Sequence, residues 1–430
     1  MKQTIDMQKT LTAQPYYSGF ALAHDSYNAI SKASDGRIYY MLSSEQFDEG
    51  GKLFVYDPIL DRITLLGDLT TACNEAGMHA IVQGKSHSRC YEYEGRLYLS
   101  THVGYYEMID GMERLPANLP AGVKPYPGGH FLSYDLENGV FEDLCIAPEG
   151  EGFVAMNMDV VRGQLFGITW PTGYFVHYDV HKGSMYSNGP ISERGEAGSP
   201  GTDYRTLCRS LLVNPTDGKV YFTVADGFIF CYDPSSRSMT KLDADLRLDY
   251  FGAYDPSQPG SMAYNWRKIF WYAPEGVAYG IHGNSGYLFR FDADDQRVDL
   301  VQRLASEASQ RSGMYDQFSY GYLGFQLGPD GKTIYYLTGG PVYEEGRRLK
   351  GQDRIAKGGA KGVENLHLIT YDIPARLYTD HGPIFYPDGT RPSYVNAIAV
   401  GDDGFIYTLA RFLHKGQEIT DLIKIPNPLY

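Results

Sequence analysis

The amino-acid sequence predicts an all-β chain folded as a seven-bladed β-propeller with four-stranded blades. Three observations carry that expectation. One pattern recurs seven times along the 430 residues: a Gly turn, an aliphatic-aromatic strand, a second turn, then a strand ending in aromatic-Asp. The compact copies are about 40 residues long, the period of a propeller blade. The composition suits half-buried strands joined by tight turns, with 37 Tyr, 20 Phe and 49 Gly.

In chain order, Asp35-Gly36-Arg37-Ile38-Tyr39 leads to Phe54-Val55-Tyr56-Asp57, and Glu94-Gly95-Arg96-Leu97-Tyr98 leads to Phe131-Leu132-Ser133-Tyr134-Asp135. Gly163-Gln164-Leu165-Phe166 leads to Val176-His177-Tyr178-Asp179, and Asp217-Gly218-Lys219-Val220-Tyr221 leads to Phe230-Cys231-Tyr232-Asp233. Glu275-Gly276-Val277-Ala278-Tyr279 leads to Leu288-Phe289-Arg290-Phe291-Asp292, and Asp330-Gly331-Lys332 leads to Ile369-Thr370-Tyr371-Asp372. Asp403-Gly404-Phe405-Ile406-Tyr407 opens the seventh unit, which runs out after Leu422-Ile423-Lys424-Ile425, three strands in. The stretch around Gln8–Leu22 is expected to supply the missing outer strand, tying the chain ends together and hiding open sheet edges. Residues 1–430 are read as one domain.

The net charge of −14 disfavours nucleic acid as a partner, since such binding needs a basic surface. No apolar stretch approaches a membrane span, and Met1-Lys2-Gln3-Thr4-Ile5-Asp6 lacks the apolar core of a signal peptide. A soluble chain with no membrane partner is expected, either cytoplasmic or exported with a leader already removed. The five cysteines, Cys73, Cys90, Cys145, Cys208 and Cys231, are odd in number and lack CxxC spacing, so reduced, mostly buried thiols are expected.

Antiparallel order within a blade forces the start of strand A, the end of B and the start of C to one face. Reactive side chains gather at those positions. His87 starts A, His102 ends B and His130 starts C of the second unit; Trp170 ends B and Tyr174 starts C of the third. Tyr204, Arg205 and Arg209 start A of the fourth; Asn265, Trp266 and Arg267 start the fifth, whose B ends at His282. His24, Tyr27 and Asn28 start the first, and Tyr394 and Asn396 the seventh. The insertions Gly104–Gly129 and Gly339–Glu364 fall on the same face, whereas the A–B turns hold plain Asp-Gly or Glu-Gly pairs. His177, His181, His367 and His381 read as structural.

Several His, a Tyr and one or two Arg around one opening suit β-elimination at a uronic acid. Arg neutralises the carboxylate, a neutral His or a Tyr phenolate takes the weakly acidic proton beside it, and a Tyr or protonated His donates to the leaving oxygen. A glycosidase needs paired carboxylates, and the candidates Glu45, Asp48, Glu75 and Asp203 form no evident pair. No cofactor is required by the sequence. A divalent metal (Ca, Zn or Mn) on His87, His102, His130 and His282 stays open, because spacing does not separate a ligand from a base.

Gly84-Lys85-Ser86-His87-Ser88, Gly95-Arg96-Leu97-Tyr98-Leu99-Ser100-Thr101-His102 and Tyr126-Pro127-Gly128-Gly129-His130 together resemble the seven-bladed propeller polysaccharide lyases, which include ulvan lyases and rhamnose–glucuronate lyases. The Gly167-Ile168-Thr169-Trp170-Pro171-Thr172-Gly173 turn is similar too, with Trp170 where Tyr is expected. The resemblance implies a lyase cleaving the glycosidic bond to a uronate in an oligo- or polysaccharide. By this reading His87 and His102, with His130 as a competing partner, are base and acid, Tyr174 assists, and Arg205 or Arg209 binds the carboxylate. Tyr204, Trp170, Asn265, Trp266 and His282 are read as substrate-binding. A glycosidase such as a rhamnosidase, or a non-catalytic binding propeller, is the alternative.

Overall fold

The computed structural model describes residues 10–109, 111–252, 255–258, 265–283, 285–307, 310, 324–341, 343–344, 347–348, 364–393, 395 and 397–430. Their strands form seven successive four-stranded blades, the sheet of blade six carrying a fifth strand from the N-terminal segment. Blade one comprises Ile30–Lys32, Ile38–Leu42, Lys52–Asp57 and Arg62–Asp68; blade two Tyr91–Tyr93, Arg96–Ser100, His130–Asp135 and Phe141–Ile146. Blade three comprises Gly152–Asp159, Gln164–Trp170, Tyr174–Asp179 and Ser184–Pro190; blade four Leu212–Val213, Val220–Thr223, Phe228–Asp233 and Ser238–Asp245. Blade five comprises Trp266–Tyr272, Val277–His282, Tyr287–Asp292 and Arg297–Arg303; blade six Phe325–Leu327, Thr333–Pro341, Glu364–Asp372 and Leu377–Phe385. Blade seven takes Ala399–Val400, Phe405–His414 and Gln417–Pro426 from the end of the chain.

Its fourth strand is Gln14–Pro15, antiparallel to Gln417–Pro426, as the incomplete seventh repeat requires. Leu11–Thr12, just before it, pairs in parallel with the outer strand of blade six. Behind these strands the Ser18 amide and hydroxyl both donate to the buried Asp421 at 2.7 Å. The N-terminal segment therefore spans the rims of two blades.

The aromatic-Asp ending of each third strand has a local cause. The carboxylate accepts from backbone amides of the turn that follows: Asp57 from Ile59 and Leu60, Asp135 from Glu137 and Asn138, Asp233 from Ser235, Asp372 from Ala375. The aromatic before it is turned to the opposite face and buried between blades, as with Tyr56, Tyr134, Tyr232 and Tyr371. Between blades three and four, Phe166, Phe175, Phe222 and Tyr232 stack in one cluster, each burial contributing about 1.5–3 kcal/mol. Gly167 leaves room for the stack of Phe131 on Phe153 between blades two and three, since a Cβ there would lie 2.7 Å from Phe153. Cys73, Cys90 and Cys208 are buried, and all five cysteines are free thiols. Among the described residues no helix is long and apolar enough to cross a membrane.

Candidate functional site

A cavity of about 400 Å³ opens where the inner strands converge, lined from blades one to five and seven. Blade two supplies its centre. Lys85 and His102 exchange backbone hydrogen bonds at 2.9 and 2.8 Å, extending strands A and B past their regular ends. Directly opposed residues, and those two apart on an extended strand, share a face. Lys85, His87 and His102 therefore line one wall.

The two imidazoles touch edge to face, with centroids 4.5 Å apart. Tyr27 stacks on His87 at 5.0 Å, and Trp170 meets His102 edge-on at 5.4 Å. A Cβ on Gly152 would sit 2.2 Å from His102 Nδ1, so the ring occupies space that only glycine leaves. Burial, then Lys85 and Arg209, holds the His102 pKa down at about 3. Burial, then His102, Lys85 and Arg209, holds His87 well below the usual histidine range. Both rings are neutral bases at pH 7, and His87 Nε2 is buried without a hydrogen-bond partner.

Four cations and four carboxylates surround the pair: Lys85, Arg209, Arg267 and Arg411, with Asp25, Glu45, Glu113 and Glu196. Glu196, 1% exposed, accepts from Arg209 Nη2 at 2.7 Å, Trp170 Nε1 at 3.0 Å and the Leu207 amide at 3.1 Å. Asp25 takes both Arg411 Nε and Nη2, with the Thr420 hydroxyl as third donor. Lys85 reaches Glu45 at 3.3 Å and lies 4.8 Å above the Tyr106 ring. Tyr106, whose hydroxyl donates to Val103 O, is kept protonated by burial, which raises its pKa well above 10.

Of the residues expected toward this opening, His24, Tyr27, Asn28, Glu45, His87, His102, Trp170, Arg209 and Arg267 line the cavity. Most of the other candidates are placed elsewhere. His130 heads the third strand of its blade, two strand spacings further out, roughly 10 Å. There its ring is clamped by Glu75 at 2.9 Å and Asp143 at 2.7 Å. Tyr174 also begins a third strand, and burial with Glu149 and Glu151 raises its pKa, the opposite of what a phenolate base needs. Arg205 is spent on Glu193, Asp226 and the Tyr204 carbonyl.

Tyr204 and Trp266 are fully buried, and the Trp266 indole donates to Ser210 O at 2.6 Å, so neither offers a sugar-stacking face. Asn265 bridges Thr223 and the Thr206 carbonyl. His282 stacks on Phe251 at 3.9 Å and bonds Ser285. Tyr394 and Asn396 lie outside the described residues. Among the described residues no three His, Cys, Asp or Glu side chains gather as metal ligands, so a metal on His87, His102, His130 and His282 does not fit this arrangement.

Several cavity residues escaped the sequence reading. Lys85 stands two before His87, a same-face spacing that pointed to it. Arg411 lies near the end of a second strand, where the strand-order rule looks. Tyr105, Tyr106, Met108 and Glu113 come from the Gly104–Gly129 insertion, which folds back as the hairpin Glu107–Ile109 and Met112–Arg114. Val154 occupies a bulge where the innermost strand of blade three shifts register, which alternation along the sequence does not reveal; Arg267, expected from its place at the start of the fifth unit, occupies the matching bulge of blade five.

No protein-family model matches the chain, and no curated protein matches it. Among solved structures it is similar to one described as "Crystal Structure of Mitotic Checkpoint Complex", at 12% identity and a TM-score of 0.51, over 99% of this chain and 95% of that one. A second, "Crystal structure of Nidogen/Laminin Complex", is 9% identical with a TM-score of 0.38, over 64% of this chain and 80% of that one, a likeness that carries no argument. Sheet order and the first likeness together show a seven-bladed β-propeller. Neither bears on the polysaccharide-lyase resemblance.

Proposed function

We propose that the axial cavity is the active site of a lyase that cleaves the glycosidic bond to a uronate by β-elimination. The observation that carries this reading is the contact between His87 and His102, two neutral imidazoles set among Lys85, Arg209 and Arg267. A cavity of about 400 Å³ suits a short oligosaccharide end.

In the proposed reaction the uronate carboxylate sits against the cations, which stabilise the charge that develops as the neighbouring proton leaves. His87 or His102 takes that proton. The electron pair forms the carbon–carbon double bond, the bond to the glycosidic oxygen breaks, and that oxygen is protonated by the phenol of Tyr27 or Tyr106. Asp25 and Glu196 each accept three donors already, a positioning arrangement and not that of a glycosidase acid.

One observation favours a second reading, a glycan-binding propeller without turnover: Arg209 and Arg411 are each held by a buried carboxylate before any ligand arrives. One experiment tests both. Glucuronate-containing polysaccharides incubated with the protein should gain the ultraviolet absorbance of an unsaturated uronate. Binding without absorbance on any such glycan selects the second reading, and a new reducing end without absorbance indicates hydrolysis.

A further inference from the structure

The axial channel continues past the histidine pair. Asn28, His87 and Arg209 line the first cavity and also a second, of about 330 Å³, walled by the innermost strands of blades two to six. Besides Arg209, two cations stand in that wall. Arg89 lies 5.6 Å from the centre of the Tyr91 ring, and its buried Nε has no hydrogen-bond partner. Lys268 comes from blade five, where the innermost strand bulges between Trp266 and Lys268. The bulge turns two successive cations to the axis, Arg267 into the first cavity and Lys268 into the second.

What acts on Lys268 is burial, then Arg89, then Arg267, with no carboxylate among them; together they hold its pKa down to about 7. Among the described residues the acidic one of this wall is Asp159, which is already engaged by Arg162 Nη1 at 2.9 Å and by the Val161 and Arg162 amides. Neighbouring cations enclosed without a counter-charge are costly, and an anion between them removes that cost.

We propose that this second cavity is a binding site for one small oxyanion, a sulfate, phosphate or carboxylate group, held between Arg89 and Lys268. The site is independent of the chemistry proposed for the first cavity. Its ligand is either a free inorganic ion or an acidic group carried on a sugar, which present the same oxygens to the two cations.

Calorimetric titration of the full chain at pH 6.5 with inorganic sulfate, inorganic phosphate and free glucuronate tests it. The expected result is saturable binding at one ion per chain, weakened about tenfold or more by Arg89→Gln and by Lys268→Met. His102→Ala should leave that binding unchanged, which separates this site from the first cavity. Binding of the inorganic ions points to a free-ion ligand; binding of glucuronate alone, still lost in Lys268→Met, places the group on a sugar. No saturable binding of any probe, or binding undiminished in both variants, overturns the proposal. A readout on the unaltered protein covers variants that fail to fold: sulfate should slow acylation of Lys268 by an amine reagent, followed by peptide mass spectrometry. An acylation rate indifferent to sulfate would equally overturn it.

Discussion

The rings of His87 and His102 meet edge to face 4.5 Å apart, one stacked on Tyr27 and the other wedged against Trp170. Neither ring gains from being charged there, because burial and the adjacent cations oppose protonation of both. Replacing either by Ala is expected to lower kcat for uronate elimination by about 10²–10⁴, the span of a general acid or base. Acidification should leave activity intact until well below the ordinary histidine pKa of about 6.5, since the His102 pKa is about 3. The rate of ultraviolet absorbance gain between pH 4 and 8, roughly the window that brackets the usual histidine pKa, is the measurement. An acid limb centred on the usual value would remove both rings from the base role.

Gly152→Ala reports on the same ring from the neighbouring blade. The new methyl would contact His102 Nδ1 at 2.2 Å, and Trp170 and His87 block the ring's retreat. The expected cost is about 1–3 kcal/mol of stability from overpacking. Turnover should fall nearly as far as in His102→Ala, with circular dichroism unchanged.

Stability should decline on both sides of neutrality for separate reasons. His130 is raised to about 9: burial opposes its charge, but Asp143 and Glu75 outweigh it. Its contribution is fully present below the unfolded pKa of about 6.5 and is lost as pH rises through 9. His102 behaves inversely: its contribution is present above about 6.5 and is lost as pH falls toward 3. Urea unfolding midpoints across this range check both limbs. His130→Ala should cost about 3 kcal/mol at pH 6 by removing the cation between the buried Glu75 and the partly buried Asp143, and should flatten the alkaline limb.

Glu196 and Glu193 form a matched pair of tests three residues apart. Glu196→Ala takes the buried carboxylate away from the Arg209 guanidinium and the Trp170 indole, and about 3–5 kcal/mol is expected to be lost. Glu193, 54% exposed, pairs with Arg205 at 3.2 Å at the surface, and its replacement by Ala should cost less than about 1 kcal/mol. Chemical denaturation distinguishes them. Equal losses would mean that Arg209 does not depend on its carboxylate partner.

The ring was legible because each repeat writes its own turns: an Asp that captures turn amides and an aromatic that seals the interface between blades leave a periodic trace. The incomplete seventh unit pointed to the N-terminal strand for the same reason. At the site, strand order places His87, His102, Trp170, Arg209 and Arg267 toward one opening, and all five line the cavity. It failed for His130 and Tyr174 because face and radius are different coordinates. A third strand starts on the correct face but too far from the axis to reach it. It failed for Trp266 and Asn265 because both are taken up by the neighbouring blade, Trp266 by the Ser210 carbonyl and Asn265 by Thr223 and the Thr206 carbonyl. Glu196 was missed because it lies in a loop between blades, where no alternation marks it.

The bulges at Val154 and Arg267 carry a consequence for how such a ring diversifies. In a regular strand, gaining or losing one residue inverts every side chain beyond it. In the innermost strands of blades three and five that inversion is absorbed locally, within one or two positions of the axis, and the outer three strands keep their partners. A single-codon insertion or deletion there would exchange the chemical lining of the channel while leaving the seven-fold scaffold intact. Ligand preference can thereby drift without any refolding of the wheel.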